Sequence, residues 1–311
     1  MNSFTLGDAR FDERRQAARF LQGKGIEIGG AHLPIPVDTR CCQIQYVDRM
    51  NAADIAALFP ELEGYSIVET DVLCDVQHKG LGIFGDETLD FVIASHLIEH
   101  LPNPLGFLKE CQRVLRIGGV LYLVVPDKNF TFDRAREVTP LAHLVEDFKQ
   151  GAREVDECHL EDWLLHVRGT GVPDDPAERQ RVYQWELSRT IHTHVWTWEG
   201  VVEFVRYFMI SEGVSYELCE LYLPKRGQDE VILVLRKTSR SAVDAVSMFD
   251  ATVETLLDRE NAMKQVIRSF EEYTQVLASP APASRWTGWL RKLRWGKIWE
   301  RVCRLAGAER E

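Results

Sequence analysis

The chain has 311 residues, enough to bury a full α/β core and to carry additional segments. Its net charge of −11 argues against a nucleic-acid partner, although residues 285–311 by themselves carry a net charge of +5. The seven cysteines contain no C-x-x-C pair, which argues against a zinc ribbon or a disulfide framework. The polar N-terminus does not read as a secretory signal, and no apolar run is long enough to span a membrane, so we expect a cytoplasmic protein.

The first two strands and the turn between them have the pattern of a nucleotide-binding corner. A short apolar strand containing Glu27 breaks into Gly29 and Gly30, and glycines after a strand let the backbone come close to a ligand. A second strand, at residues 44–47, ends in Asp48, where a carboxylate is able to accept both hydroxyls of a ribose. The pattern predicts the start of a βαβ unit; a simple tight turn is the alternative interpretation.

Five more strands follow, and most of them alternate with helices. This alternation predicts an α/β fold with a doubly wound, mostly parallel sheet of seven strands. The short connection between the last two strands makes them an antiparallel hairpin at one edge of the sheet. The strands are expected at residues 25–28, 44–47, 66–69, 89–94, 120–125, 217–223 and 231–235.

Beyond strand five the chain changes character. Residues 1–238 are predicted to form the α/β domain, with a helical insertion after strand five at about 128–196. Residues 242–279 carry apolar side chains spaced alternately three and four apart, which is typical of a coiled coil. We therefore expect a homo-oligomer formed through residues 243–278. A long helix packed back on the α/β domain is the alternative.

The last segment, residues 280–311, is a proline-containing linker followed by a stretch in which tryptophans interleave with lysines and arginines. A basic helix with tryptophans on its other face is typical of an interfacial membrane anchor. Residues 285–305 are therefore predicted to bind an anionic membrane surface, which would place the protein on the inner face of the membrane. Docking on a protein partner or in a nucleic-acid groove is the alternative.

Over residues 20–238 the chain resembles the class I S-adenosylmethionine-dependent methyltransferases. The glycine turn and Asp48 are followed, in that family's order, by L-D-F-V-I-A-S-H-L-I-E-H-L at residues 89–101 and R-V-L-R-I-G-G-V-L-Y-L-V-V-P-D at residues 113–127. The resemblance implies a Rossmann-like methyltransferase fold and S-adenosylmethionine as the cofactor.

Two further segments resemble methyltransferases found with glycan and O-antigen biosynthesis enzymes, namely Pro126–Arg134 and His192–Thr197. This similarity implies methyl transfer to a saccharide or a lipid-linked glycan at the cytosolic membrane face. One departure from the family pattern favours a second hypothesis, because Ala31 and Leu33 replace two glycines of the family's E-x-G-x-G-x-G turn. A catalytically degenerate fold that recruits glycan enzymes as a scaffold is therefore the alternative.

The resemblance also implies which residues hold the cofactor. Asp48 would take the ribose hydroxyls, and Asp75, or alternatively Asp71, would lie beside the adenine amino group. Ser95 and His96, at the end of strand four, would face the sulfonium. The residues expected to bind the cofactor are Glu27, Gly29, Gly30, Asp48, Asp75, Val76, Ser95 and His96.

Candidates for the chemistry lie where strands four and five end, since open α/β sheets bind ligands at the carboxyl ends of their strands. In-line methyl transfer depends mostly on positioning, but a sugar hydroxyl also needs a general base or a metal. His96 is the best-placed imidazole for this purpose, and closing the strand-four turn is its alternative role. Asp127 and His194 complete the catalytic candidates.

Polar and aromatic residues after strand five are candidates for acceptor binding, with a salt-bridged loop and core filling as the alternatives. His192 and His194 would share one side of an extended segment, and with His159 or Asp133 they would be able to bind a divalent metal. Because the sequence shows no closed ligand set, no metal site is assigned. The expected substrate-binding residues are Lys128, Asp133, Arg134, His192 and Trp196.

Overall fold

The computed structural model describes residues 9–225 and 227–278, apart from the side chains of 9–11, 263 and 266–278. The predicted membrane-binding segment at 285–305 therefore lies outside the described residues. The chain divides into two compact units, of which the first ends at Asp250. In the part of the chain that is described, no helix has the length and apolar character needed to cross a bilayer.

The first unit contains a seven-stranded sheet in the order β3-β2-β1-β4-β5-β7-β6. Strands β1 to β5 pair in parallel, whereas β7 is antiparallel to both β5 and β6. The doubly wound sheet and the hairpin at its edge are therefore confirmed. The strands are β1 (Gly23–Ile28), β2 (Cys42–Asp48), β3 (Val72–Leu73), β4 (Leu89–Ser95), β5 (Leu115–Pro126), β6 (Tyr216–Tyr222) and β7 (Glu230–Lys237).

The predicted position of the third strand, at residues 66–69, was wrong. The ladder with β2 begins later, where Val72 pairs with Val47. The backbone N–H of Val68 instead donates to the carbonyl of Ala31, in the turn after β1. The segment at 66–69 is thus hydrogen-bonded to the turn after β1 and is not a strand of the sheet.

Helices cover both faces of the sheet, and three of them, α5 to α7, form the predicted insertion between β5 and β6. Thr197 is the N-cap of α8 and accepts the N–H of Gly200. Two short 3₁₀ turns precede α5, and one π-helical turn continues α6. The helices are α1 (Ala9–Ala18), α2 (Ala52–Leu58), α3 (Val76–Lys79), α4 (Pro104–Val114), α5 (Leu141–Gln150), α6 (Glu157–Trp163), α7 (Pro176–Ser188), α8 (Trp198–Ser211) and α9 (Ala242–Ala278).

Helix α9 runs without interruption for 37 residues, over the segment predicted to be a coiled coil. Within the first unit, Ala245 and Phe249 at its beginning are buried. Self-association through residues 243–278 stays a prediction.

Strands β1 and β4 approach each other closely at Gly25. Gly25 pairs with Phe91 across the two strands, and a Cβ on Gly25 would collide with the Phe91 ring and with its backbone carbonyl. Phe91 is itself fully buried. Gly25 does not have a positive φ, so its backbone conformation does not require glycine. The close approach of the two strands does require it.

The substitution Gly25→Ala is expected to destabilise the protein by about 1–3 kcal/mol, because overpacking forces the strands apart. The measurement is urea unfolding followed by circular dichroism. Gly171→Ala is the matched control, since a Cβ there would meet no atom within 4 Å. Equal unfolding midpoints for the two variants would contradict the packing described here.

Candidate functional site

The turn after β1 leaves its backbone open to a ligand. Gly29 has φ +71°, is exposed, and a Cβ added to it would meet nothing within 4 Å. Its N–H donates to the carbonyl of Val47 in β2 at 2.9 Å, which ties the turn to the neighbouring strand. Gly29 therefore lies beside Asp48, the last residue of β2.

Asp48 is half-buried at the carboxyl edge of the sheet and accepts the N–H of Met50 at 3.0 Å. Burial raises the pKa of Asp48, while the backbone N–H groups of Met50 and Arg49 act in the opposite direction. The hydrogen bond from the nearby backbone therefore orients the Asp48 carboxylate at the end of β2 without help from a ligand.

Glu27 is fully buried, and both its carboxylate oxygens lie within hydrogen-bond distance of the N–H of Ile35, at 2.9 and 3.2 Å. Burial raises the pKa of Glu27 to about 8, although the Ile35 N–H lowers it. Gly30 packs against it, since a Cβ there would lie 3.3 Å from the Glu27 carboxyl carbon. Glu27 and Gly30 thus support the turn from its buried side.

The predicted departure from the family's glycine pattern has a visible backbone consequence. Ala31 has φ +38°, a left-handed conformation that L-residues other than Asn and Asp seldom adopt. Its carbonyl accepts the N–H of Val68, and this bond holds the turn in place. The chain therefore keeps a glycine-type conformation at Ala31.

The two candidates for the adenine side differ in position. The N–H of Cys74 donates to the carbonyl of Asp48, which brings Asp75 and Val76 next to the end of β2. Asp75 is the N-cap of α3 and also bonds His78 Nδ1 at 2.8 Å. Asp71 lies before β3, where its carboxylate accepts the N–H of Tyr46. Asp75 is thus the better placed of the two.

His96 directly follows β4 and sits in a buried network of charged side chains. Its Nε2 lies 3.0 Å from Glu230 Oε1, and its Nδ1 lies 3.4 Å from Glu99 Oε1. Glu230 in turn accepts two hydrogen bonds from the Arg14 guanidinium, at 2.6 and 3.0 Å. About a third of the His96 side chain, 34 %, remains exposed. The backbone at His96 is left-handed, with φ +50°, which turns the chain sharply at the end of β4.

The charges in this network determine the protonation of His96. Burial by itself would lower the pKa of His96, but the hydrogen bond to Glu230 and the nearby Glu99 carboxylate raise it to about 9. Burial by itself would raise the pKa of Glu230, but His96 and Arg14 lower it to about 2. At neutral pH His96 is therefore an imidazolium between two carboxylates, and it becomes a base only at alkaline pH.

Asp127 is fully buried at the end of β5, and both of its oxygens are already bonded to backbone N–H groups. Oδ1 accepts from Asn129 and Oδ2 from Trp198, each at 2.8 Å. The carboxylate thus joins the end of β5 to the start of α8. A catalytic role for Asp127, as predicted, would require this buried carboxylate to become accessible to a substrate.

The predicted substrate-binding residues do not form one surface. Asp133 is buried and accepts hydrogen bonds from Arg136 Nη1 at 2.8 Å and His192 Nδ1 at 2.6 Å. Lys128 is half-buried and Arg134 is exposed, so both cations are accessible to a ligand.

Trp196 is only 2 % exposed and packs against the ring of Phe204. This is the core-filling position that the sequence analysis gave as the alternative to stacking on a sugar. A sugar would reach the ring only if the core opened.

The two histidines of the H-x-H segment do not share a site, contrary to the expectation for an extended strand. His192 bonds to Asp133 and packs against His100. His194 is fully buried and packs against His143 and His159. The segment between Ile191 and Trp196 is irregular, so the alternation of side chains along a strand does not apply to it.

Two surface cavities, of about 300 and 370 Å³, lie at the opposite end of the sheet, where Gly23 begins β1. Asp90 lines both. The three arginines that line the first cavity form ion pairs with acidic neighbours. Open α/β sheets bind ligands at the carboxyl ends of their strands, so these cavities are not the candidate site.

Sequence reasoning missed Arg14 and Glu230, which hold His96. They lie 216 residues apart and meet only because α1 packs near the start of β7. A buried Arg–Glu pair has no local sequence signal, and an acidic residue at the beginning of a strand is not distinctive.

Comparisons with known proteins find similar sequences and structures. Residues 36–123 match the model of a methyltransferase domain. The chain is 32 % identical over 147 residues to a probable S-adenosylmethionine-dependent methyltransferase of Mycolicibacterium smegmatis, over 47 % of this chain and 49 % of that protein. The chain thus spans about half the length of this curated relative.

Two solved structures are similar over most of the chain. A putative methyltransferase from Bacillus halodurans is 15 % identical, with a TM-score of 0.40 over 74 % of this chain and 100 % of that one. A putative zinc-dependent alcohol dehydrogenase from Rhodobacter sphaeroides is 14 % identical, with a TM-score of 0.45 over 76 % and 92 %.

The matched region is that of a methyltransferase domain, and the curated relative is a probable S-adenosylmethionine-dependent methyltransferase. S-adenosylmethionine is the cofactor that they imply. The residues fit it, because the exposed Gly29 turn leaves room for a ligand to contact the backbone, and Asp48 beside the turn offers a carboxylate acceptor.

The substitution Asp48→Asn is expected to weaken binding of S-adenosylhomocysteine by about 10–100-fold, because hydrogen bonds to a charged carboxylate contribute ~1.5–3 kcal/mol. Isothermal titration measures this. Asp54→Asn, an exposed carboxylate on α2, is the matched control and should bind as the wild type does. Unchanged affinity in Asp48→Asn would rule out the ribose contact.

Proposed function

We propose that this chain is an S-adenosylmethionine-dependent methyltransferase that acts on a saccharide or a lipid-linked glycan at the cytosolic membrane face. The exposed Gly29 turn directly beside Asp48 is the observation that supports the enzymatic part of this proposal. The acceptor class is supported by the similarity of Pro126–Arg134 and His192–Thr197 to methyltransferases of glycan biosynthesis.

Each side chain at the carboxyl edge would have its own role. When bound, S-adenosylmethionine supplies an electrophilic methyl group on a sulfonium. Asp48 would accept the ribose hydroxyls, and Asp75 with Val76 would lie along the adenine. Ser95, the last residue of β4, and His96, which follows it, would face the reacting end. Glu27 would hold the turn through the N–H of Ile35 and would not touch the cofactor directly.

The acceptor would approach past the end of β5. Lys128 and Arg134 are the accessible cations of the loop that follows this strand. They would suit an acceptor that carries a negative group, such as the phosphate of a lipid-linked glycan. Asp133 and His192 would act through Arg136, by holding this loop against the insertion.

A hydroxyl acceptor must lose its proton as the new bond to carbon forms. His96 would take that proton, but only after giving up the one it holds between Glu230 and Glu99. The rate would then depend on the fraction of neutral imidazole, which increases as pH approaches the His96 pKa of about 9 from below.

Methyl transfer catalysed through His96 is therefore expected to rise about tenfold per pH unit from pH 7 towards pH 9. The measurement is release of S-adenosylhomocysteine with a panel of free saccharides and sugar nucleotides as acceptors. In His96→Gln the activity should be low and its dependence on pH lost. A flat profile in the wild-type protein would exclude His96 as the base and favour an acceptor that needs positioning alone.

The predicted membrane association is tested by deleting residues 280–311. Each basic residue near an anionic surface contributes about 1 kcal/mol to binding. The full chain should therefore sediment with vesicles that contain anionic phospholipid, and the truncated chain should stay in the supernatant. Neutral vesicles are the control for charge. Sedimentation of the truncated chain with anionic vesicles would refute the assignment of the tail.

The scaffold hypothesis is supported by one observation, the left-handed Ala31 at a position where the family has glycine. A binding measurement separates it from the enzymatic hypothesis, because a scaffold need not bind S-adenosylhomocysteine. Binding by the wild-type protein at micromolar concentrations would remove it.

A further inference from the structure

Three histidines and one aspartate converge in the insertion, away from the cofactor corner. The side chains of His143, Asp147, His159 and His194 each offer one ligand atom, and these atoms all lie within 4.8 Å of one another. His143 and Asp147 are four residues apart on α5, His159 is on α6, and His194 precedes α8. Three separate segments of the chain therefore meet at this cluster.

We propose that this cluster is a structural zinc site that fastens the insertion to the segment before α8. Neutral imidazole and carboxylate are ligands that zinc accepts, and four protein ligands complete the tetrahedral set of a closed, structural site. The proposal is independent of the acceptor and of the cofactor.

The distances between the ligand atoms fit a tetrahedral ion. His143 Nε2 lies 3.1 Å from His159 Nε2 and 3.3 Å from Asp147 Oδ2, and His194 Nε2 lies 3.8 Å from the same oxygen. In a tetrahedral site with bonds of about 2.0–2.1 Å, ligand atoms are about 3.3 Å apart. These three distances thus lie within about 0.5 Å of the tetrahedral value, and the other three are at most 4.8 Å.

The arrangement of the rings fits as well. The three ring centroids are 5.0, 5.2 and 5.7 Å apart, and the rings are inclined to one another by 67° to 84°. Imidazoles bound to one tetrahedral zinc through a nitrogen at about 2.0–2.1 Å have centroids about 5 Å apart. Stacked rings, which hydrophobic packing alone would allow, are not observed among these three.

A buried carboxylate oxygen of the cluster, Asp147 Oδ2, lacks a hydrogen-bond partner among the described residues. It is oriented towards the histidines, and Asp147 as a whole is only 9 % exposed. A buried carboxylate oxygen without a donor is costly, and a cation removes that cost.

The site also has a route for the metal to enter. The His143 side chain is 34 % exposed, whereas the His194 side chain is completely buried. His143 therefore closes the cluster from the solvent side. It is also the ligand whose removal should disturb the fold least.

A neighbouring group shares one ligand with this cluster. Asp156, Cys158 and His159 lie close together on the surface and would also be able to bind a metal. Asp156 and Cys158 are both exposed, so this group lacks the burial and the closed ligand set of the four-residue cluster. The experiment must distinguish the two.

The test uses the full chain, stripped of metal with a chelator, reloaded with Zn²⁺, desalted and analysed by mass spectrometry for metal. The wild-type protein should retain about one equivalent, as expected for a closed four-ligand site. His143→Ala and Asp147→Asn should lose it, with affinity reduced by more than the ~10–100-fold typical of an outer-shell change. His166→Ala, a histidine of the same insertion paired with Asp162, and Cys158→Ala are the matched controls and should keep the metal.

A second measurement does not depend on the variants folding. Wild-type protein loaded with Co²⁺ should show the intense visible absorption of a tetrahedral nitrogen and oxygen site, and Zn²⁺ should raise its melting temperature. No retained metal, a weak octahedral cobalt spectrum, or equal retention in folded His143→Ala would overturn the proposal. Loss of the metal in Cys158→Ala alone would place it at the surface group and overturn the proposal as well.

Discussion

The parallel pairing of β1 with a strand on each side is the constraint on which the candidate site depends. Ile28, at the end of β1, is in register with Val47 of β2 and with Ala94 of β4. The next residue of each strand is therefore brought to the same edge, so that Asp48 and Ser95 flank Gly29. A shift of one residue in either register would reverse the orientation of these side chains. The close contact of Gly25 with Phe91 helps to hold this register.

A second constraint lies beneath the reacting end of the site. Arg14, Glu230, His96 and Glu99 connect α1, β7 and the end of β4 through buried charges. Removing one member of such a network leaves an uncompensated charge in the interior, which is much more costly than losing a surface ion pair. The same network that holds His96 also keeps it protonated at neutral pH. The ion pairs that stabilise the fold around His96 thus also prevent its imidazole from acting as a base at neutral pH.

The insertion after β5 is organised by polar contacts at least as much as by its small apolar core. That core contains Leu160, Trp163 and Tyr183. Arg136 is buried between Asp133 and Asp162 and also donates to the carbonyl of His192. These contacts are directional, so the loop after β5 has one defined position relative to the sheet. Two of the four proposed zinc ligands, His159 on α6 and His194 before α8, lie on segments that these contacts bring together.

The sequence by itself determined the alternation of strands and helices, the hairpin, the insertion and the corner formed by Gly29 and Asp48. These features follow from local periodicity and from turn residues, which act over a few positions. The tertiary structure decided what depends on contacts between distant segments. It placed β3 at Val72–Leu73, paired Glu230 with His96, and separated His192 from His194. Such contacts are chosen by the packing of whole elements, and the identities of the residues alone do not encode which partners will meet.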